Sequence, residues 1–338
     1  MSKIRILSKE NIQSVFTLSM ALEAVEQAYR EKDSGQGEVW PMVFHEFDPG
    51  HADLDIKSGN LNSEGVFGLK LVSWFGDNPS RGLPALHGTS LLFDLATGEP
   101  KAMLNAGPIT DYRTGAAGAL GVKYLARKDA KHLLMAGCGA LAPYLIAAVL
   151  LVRPDLEHIQ LVNPHHPAHA EQRLGDITQK VQSLLAPCGA ALSVPISASE
   201  NVEQSVRESD IILTATPSCA PMIDAAWVRP GTHFSCVGSD MAGKQEISSD
   251  IFVGAQVFGD DIAQCLSVGE CEKPYQEGKL KQLCGEIGGV ISGRLTGRRS
   301  DGEITIFDST GIALQDLSSA VTILKAAEQS GIGILADV

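Results

Sequence analysis

Three charged side chains are the residues of this sequence best suited to chemistry: Lys70, Arg113 and Asp240. Lys70 lies inside the apolar run 66–74. A lysine there either snorkels to water, pairs with a carboxylate, or forms a cation beneath a bound anion. Thr110 is expected to cap a helix running to about Lys128, which puts Arg113 in the first turn. The helix dipole is unfavourable for a cation at that end, so the guanidinium is read as a two-pronged holder of a carboxylate. The plainer reading is a surface pair with Asp111. Asp240 stands in Gly238-Ser239-Asp240-Met241-Ala242-Gly243. It is either a turn residue bonded to its own backbone or an acid/base group facing a substrate nitrogen.

The fourth feature is a glycine-spaced turn. The apolar run 132–136 reads as a buried strand, Gly137, Gly139 and Ala142 follow at the spacing of a dinucleotide-binding turn, and 141–152 reads as the next helix. The first glycine permits a tight turn, the second lets backbone approach a pyrophosphate, and a small third residue lets helix pack on strand. A glycine turn in some other α/β protein is the alternative.

Alternating elements must position these groups. Strands are expected at 132–136, 158–163, 192–195, 210–215, 233–237 and 256–258, with helices at 141–152, 168–186 and 201–208 between them. That pattern predicts a doubly wound parallel sheet, whose ligands bind beyond the strand C-termini. At the second such end, Asn163-Pro164-His165-His166 supplies neither the carboxylate that would hold a ribose nor an adjacent arginine. Asparagine can still bond a ribose hydroxyl, so NAD(H) is favoured over NADP(H). Thr214 and Thr216 close the fourth strand and either line the nicotinamide side or cap a turn. Val237 and Gly238 open the loop that carries Asp240.

The first part of the chain reads differently. An apolar stripe of period 3.6 marks a first helix at 17–32, with Thr17 or Ser19 as its cap. Short strands follow at 39–47, 53–57, 66–74, 90–95 and 101–105, the last two joined as a hairpin around Ala96-Thr97-Gly98. Beyond a strand at 304–307, helix 312–329 carries Leu314, Leu317, Val321 and Leu324 as a buried stripe and is expected to return to the first domain. The predicted division is 1–115 with 305–338, and 116–304.

Composition bounds the rest. With 338 residues, 44% of them hydrophobic, the chain can build two cores. A net charge of −13 argues against nucleic acid and anionic membranes while allowing a local basic pocket. No stretch reads as a secretion signal or a bilayer span, so a soluble cytoplasmic protein is expected. Seven cysteines without a Cys-x-x-Cys pair, and a His165/His166/His169 group lacking carboxylates at ligand spacing, predict neither disulfides nor a metal site.

Taken together these segments resemble the ornithine cyclodeaminase/mu-crystallin family. The resemblance runs from Gly68-Leu69-Lys70 to the final helix. It is carried by Gly82-Leu83-Pro84, Thr97-Gly98-Glu99-Pro100, 109–117 with Arg113-Thr114, the 137–142 turn, Gly231-Thr232-His233, 238–244 and Asp308-Ser309-Thr310-Gly311. It implies a nicotinamide-dependent homodimer with a Rossmann-like domain and a mixed α/β domain for substrate and dimerisation. It also assigns Lys70 and Arg113 to a substrate carboxylate and Asp240 to the reacting amine. Thr114, Gly137, Gly139, Ala140, Leu141, Asn163, His165, Thr214, Thr216, Val237 and Gly238 are the expected cofactor contacts.

Two departures bear on substrate. Trp40-Pro41-Met42-Val43-Phe44-His45 lacks the second carboxylate-binding arginine common in the family. Lys57 stands thirteen residues before Lys70, where cyclodeaminases carry a glutamate suited to a diamino acid. A lysine there repels an ornithine ammonium and attracts a second carboxylate. Leu141 also replaces a frequent glutamine. The expectation is therefore reduction of a small anionic 2-imino acid, such as iminosuccinate, with Lys57 and a helping His45 at its distal carboxylate. Cyclodeamination of ornithine or lysine, and a non-enzymatic ligand-binding role, are the alternatives.

Overall fold

The computed structural model describes residues 3–338, which divide into two compact units, 3–113 with 312–338, and 114–311.

The first unit opens with β1 (Lys3–Leu7), α1 (Lys9–Val15) and α2 (Leu18–Asp33). The short α1 precedes the helix expected to be first. A capping box closes its start, Ser8 accepting from the Asn11 amide while the Asn11 side chain accepts from Ser8. Thr17 caps α2 as expected, accepting from the Met20 amide. The single strand expected at 39–47 is instead two, β2 (Gly37–Val39) and β3 (Val43–Asp48). Pro41 lies between them and has no N–H to give a ladder. Next come β4 (Ala52–Leu61), β5 (Val66–Phe75), β6 (Leu86–Asp94) and β7 (Pro100–Asn105), followed by α3 (Ala106–Leu125). The chain re-enters this unit as α10 (Ala313–Gln329) and β16 (Ile334–Asp337).

Its mixed sheet has the order β16-β1-β7-β6-β5-β4-β2, with β3 also paired to β4. Only β1 and β7 run parallel; the remaining pairs are antiparallel. Leu314 and Leu317 of α10 are buried, and Gly68 lets α10 sit close on the sheet, since a Cβ there would come within 2.8 Å of Leu317.

The start of α3 differs from expectation. The helix begins at Ala106, where Asn105 Oδ1 accepts from the Gly107 amide at 3.0 Å. Pro108 is tolerated there because first-turn N–H groups have no helical partner. Thr110 is therefore inside the helix rather than its cap, and Arg113 lies beyond the first turn, where the dipole acts weakly.

The second unit holds β8 (His132–Ala136), α4 (Ala142–Val152), β9 (His158–Val162), α5 (Ala168–Leu185), β10 (Ile196–Ala198), α6 (Val202–Glu208), β11 (Ile211–Thr214) and β12 (His233–Cys236). After these come β13 (Gln256–Gly259), α7 (Ile262–Val268), α8 (Glu272–Gln276), β14 (Gly285–Glu286), α9 (Ile287–Ile291) and β15 (Thr305–Asp308). All eight strands run parallel in the order β10-β9-β8-β11-β12-β15-β13-β14. This is the expected Rossmann-like sheet, and its order reverses between β8 and β11.

Two boundaries move. The strand expected at 192–195 is β10, because Pro195 cannot donate and pairing starts after it. β15 was expected in the first unit. It pairs with β12 and β13, which puts the unit boundary after Gly311 rather than at 305. A buried strand flanked on both sides cannot leave its sheet, so the chain returns to the first unit only after it, where α10 begins.

Gly115, Gly118 and Gly121 bring the later part of α3 against this sheet and α4. Side chains there would meet Tyr144, Leu145 and Phe307. Among the described residues no helix is long and apolar enough to cross a membrane.

Candidate active site

In the first unit the cations named by the sequence gather. Lys57 and Lys70 are cross-strand partners in β4 and β5, so both side chains leave the same face of the sheet. Both are buried, as is Arg113 from α3. Lys70 Nζ lies 3.0 Å from Asp316 Oδ1 and 3.0 Å from Oδ2, and Arg113 Nε lies 3.3 Å from Oδ1. Arg113 Nη1 donates to Gln315 Oε1 at 3.2 Å, and Gln315 Nε2 donates to the Tyr29 hydroxyl at 2.5 Å. The surface pair with Asp111 is therefore not the setting of Arg113, which is buried and turned to α10.

Asp316 occupies the first turn of α10, where helix N–H groups favour an anion. Burial alone would raise its carboxyl, but Lys70 and Arg113 hold it below the ordinary value. Burial and Arg113 lower the Lys70 ammonium to about 8 against the opposing pull of Asp316. Among the charges acting on Lys70 are Arg113 and Lys57 of one sign and Asp316 and Asp55 of the other. With Lys70 itself, three formal positive charges face two negative ones. The surplus suits a bound anion.

His45 does not join this group. It is exposed on β3 opposite Leu54, and Leu54 and Lys57, three residues apart on β4, point to opposite faces. Its ring packs edge-on to Phe47 instead.

In the second unit the expected cofactor residues lie at strand C-termini beside the sheet's reversal. Gly137, at φ +114°, adopts backbone that favours glycine, and a Cβ there would come within 2.6 Å of the Ala215 carbonyl. Its amide donates to the Val162 carbonyl at 2.9 Å, tying the turn to the end of β9. A Cβ on Gly139 would meet open space. Gly139 and Ala140 are exposed and Leu141 immediately precedes α4, whose N-terminal dipole favours a phosphate, although Pro143 has no N–H and the Ala142 amide donates to the Gly139 carbonyl. The turn therefore fits a dinucleotide pyrophosphate: the strained glycine shapes it and the second leaves the approach clear.

The remaining expected contacts are variously committed. Asn163 Oδ1 accepts from the His165 and His166 amides at 3.2 and 3.0 Å, and its Nδ2 meets His169 Nδ1 at 3.1 Å. The side chain thus shapes the turn after β9. Thr114 is buried in α3, and Val237 is buried ahead of Gly238. The Thr214 and Thr216 hydroxyls donate to Glu246 at 2.6 and 2.8 Å. Asp240 is about half exposed and pairs with Lys244 at 2.6 Å.

Sequence reasoning missed four residues around these groups: Asp316, Gln315, Glu246 and Glu270. Asp316 carried a usable signal, a carboxylate on the buried stripe of the last helix. Glu246 and Glu270 had none, because their partners lie on other elements. Burial raises both carboxyls, and Glu270 raises Glu246 further, although each accepts several donors that favour the anion.

The reversed parallel sheet with its glycine turn, joined in one chain to a mixed sheet bearing buried cations, defines a two-unit Rossmann-like α/β protein. The chain belongs to the ornithine cyclodeaminase/mu-crystallin family, whose profile matches residues 3–331. It is 34% identical to the alanine dehydrogenase of Archaeoglobus fulgidus over 97% of this chain and 96% of that one. The iminosuccinate reductase of Paracoccus denitrificans, solved with NAD+, matches with a TM-score of 0.88 at 31% identity, covering 99% of this chain and 100% of that one. The Thermococcus litoralis Delta(1)-pyrroline-2-carboxylate reductase, solved with NADH and L-proline, gives 0.89 at 27% identity over 99% and 100% of the two chains.

Proposed function

We propose that this protein is an NAD(P)-linked oxidoreductase that reduces a small 2-imino acid to an L-amino acid, or runs the reverse oxidation. The carrying observation is the gathering of three buried cations, Lys57 and Lys70 on one face of the sheet and Arg113 sharing the Asp316 carboxylate with Lys70. The relatives described above, a dehydrogenase and two reductases of amino or imino acids, support the class.

In this reading Lys70 and Arg113 hold the α-carboxylate, restricting the substrate to near-attack geometry. Asp240 holds a proton for the imine nitrogen, directly or through water. A bound nicotinamide supplies the hydride that the imine carbon takes. The Gly137–Gly139 turn and the start of α4 would hold the cofactor's pyrophosphate. NAD(H) is the favoured form, although Asn163 is engaged within its own turn and offers no carboxylate for a ribose. A second copy of the chain is proposed to complete a homodimer.

Lys57 narrows the substrate to a dicarboxylic imine such as iminosuccinate, whose product is aspartate. The same lysine disfavours a diamino acid, and with it cyclodeamination. NADH and NADPH absorbance is followed with 2-oxo acids and ammonia as imine sources. Oxidation of one cofactor is expected, fastest with oxaloacetate; no oxidation by any pair sinks the class. Lys57→Ala is expected to weaken the dicarboxylic imine by about tenfold or more in kcat/KM, the scale of one desolvated charge contact, while sparing a monocarboxylic one. Equal losses on both would remove the distal-carboxylate role.

A further inference from the structure

The loop carrying Asp240 is held by carboxylates that the proposed chemistry does not use. Glu246 is fully buried and accepts four hydrogen bonds: from the Thr214 hydroxyl at 2.6 Å, the Thr216 amide at 2.7 Å, the Thr216 hydroxyl at 2.8 Å and the Gly238 amide at 3.0 Å. It therefore ties the end of β11 to the end of β12. Glu270, also buried, accepts from the Ser239 hydroxyl at 2.5 Å, from the Glu246 amide at 2.8 and 3.0 Å, and from the Ile247 amide at 2.7 Å. Farther along the loop, the Gly243 amide donates to Glu272 Oε2 at 2.7 Å.

These contacts bracket Asp240. Gly238 and Ser239 are pinned before it and Gly243 after it, while Asp240 and Ala242 remain exposed. Gly238 also closes against the pin, since a Cβ there would come within 2.5 Å of the Glu246 carboxyl. Burying two neighbouring carboxylates costs free energy that an apolar pair of the same volume avoids. Such costs recur where a group near a reacting centre must be held still. Neither Glu270 nor Glu246 lies within a strand or helix, so what they hold is the connecting backbone beyond β11 and β12.

We propose that Glu270, acting through Ser239, and Glu246, acting through Gly238, are positioning residues that fix the loop bearing Asp240. The inference rests on the oxidoreductase reading only for its kinetic consequence; the pinning itself is read separately. In Glu270→Gln the side-chain NH2 faces hydroxyl and amide donors and cannot accept from all of them.

The test compares wild type, E270Q, S239A and the double variant by hydrogen exchange over 238–244 and by imine reduction. E270Q is expected to speed exchange of those amides by about tenfold or more while 132–136 stays protected. It should lower kcat by about 10- to 100-fold, the scale of a small misplacement, with NADH affinity from fluorescence titration unchanged. S239A should reproduce part of both effects and add nothing to E270Q, showing that they act as one unit. S239A removes a single oxygen and keeps the test open should E270Q fold poorly. Unchanged exchange over 238–244, protection lost equally across the second unit, or additive effects of S239A and E270Q would overturn the proposal. A wild type that oxidises neither cofactor would defeat the oxidoreductase reading alone, and the exchange comparison would still decide the pinning.

Discussion

Lys70 shows how burial sets a charge to its task. With its ammonium lowered to about 8, the cation predominates at neutral pH and is lost within reach of mild alkali. The KM for an anionic substrate should therefore be flat below pH 8 and rise about tenfold per pH unit above it. A KM that stays flat to pH 10 would assign the carboxylate grip elsewhere. Stability moves the other way. The unfolded chain keeps this proton up to 10.5, so between about 8 and 10.5 it binds more protons than the folded one, and the contribution of Lys70 to stability rises with pH. Asp316 has the opposite dependence. Its depressed carboxyl stabilises the fold above the ordinary carboxylate range, and that contribution is lost as pH falls through its folded value. Asp316→Asn leaves Lys70 and Arg113 buried without their shared carboxylate, and should lower stability in urea unfolding by about 3–5 kcal/mol. A loss below about 1 kcal/mol would mean that something else holds the two cations.

The glycine turn separates two roles that sequence spacing alone runs together. Gly137 is required by its backbone and by the Ala215 carbonyl, so Gly137→Ala should fail to fold or melt far lower. Gly139 faces open space, so Gly139→Ala should change stability by no more than about 0.5 kcal/mol. It should nevertheless weaken NADH binding by about tenfold, because its methyl occupies the pyrophosphate's approach. Equal NADH affinity in Gly139→Ala and wild type would move the cofactor away from this turn. Spacing exposed the turn and most of the parallel strands because each is a local pattern: an apolar run, a glycine, then a helix. Lys70 was legible because a charge inside an apolar segment is conspicuous, whereas Arg113 was singled out by a first-turn argument that fails once the helix is seen to start at Ala106. What stayed hidden depended on long-range pairing. β15 reads as a lone short strand until β12 and β13 flank it, and Asp316 acquires its role only through residues some 200 and 246 positions away. The helix start shifted from Thr110 to Ala106 because Asn105, the last residue of a strand, doubles as its cap.

At the scale of the whole molecule, this acidic protein carries exposed apolar side chains on an edge strand. β3 is exposed along its entire length and presents Val43 and Phe47 on one face and Phe44 on the other, with Phe47 stacked on Phe75 at 5.9 Å and Leu86 also exposed. Among the described residues β3 pairs only with β4, so its other edge offers backbone donors and acceptors to a further strand. An exposed apolar edge strand invites association unless it is covered, and a second copy would cover it with a closed, self-complementary contact. A net charge of −13 works against non-specific clustering of such a patch while leaving a specific apolar contact possible. Wild type should therefore have a solution mass of twice 35.8 kDa by light scattering, and the doubly substituted F44E/F47E should shift towards 35.8 kDa. Because the substituted side chains are already exposed, the single-chain fold should lose little stability, and circular dichroism should stay unchanged. A wild type that remains monomeric at high micromolar concentration would leave this edge to another partner. A variant that stays dimeric would place the contact elsewhere on the chain.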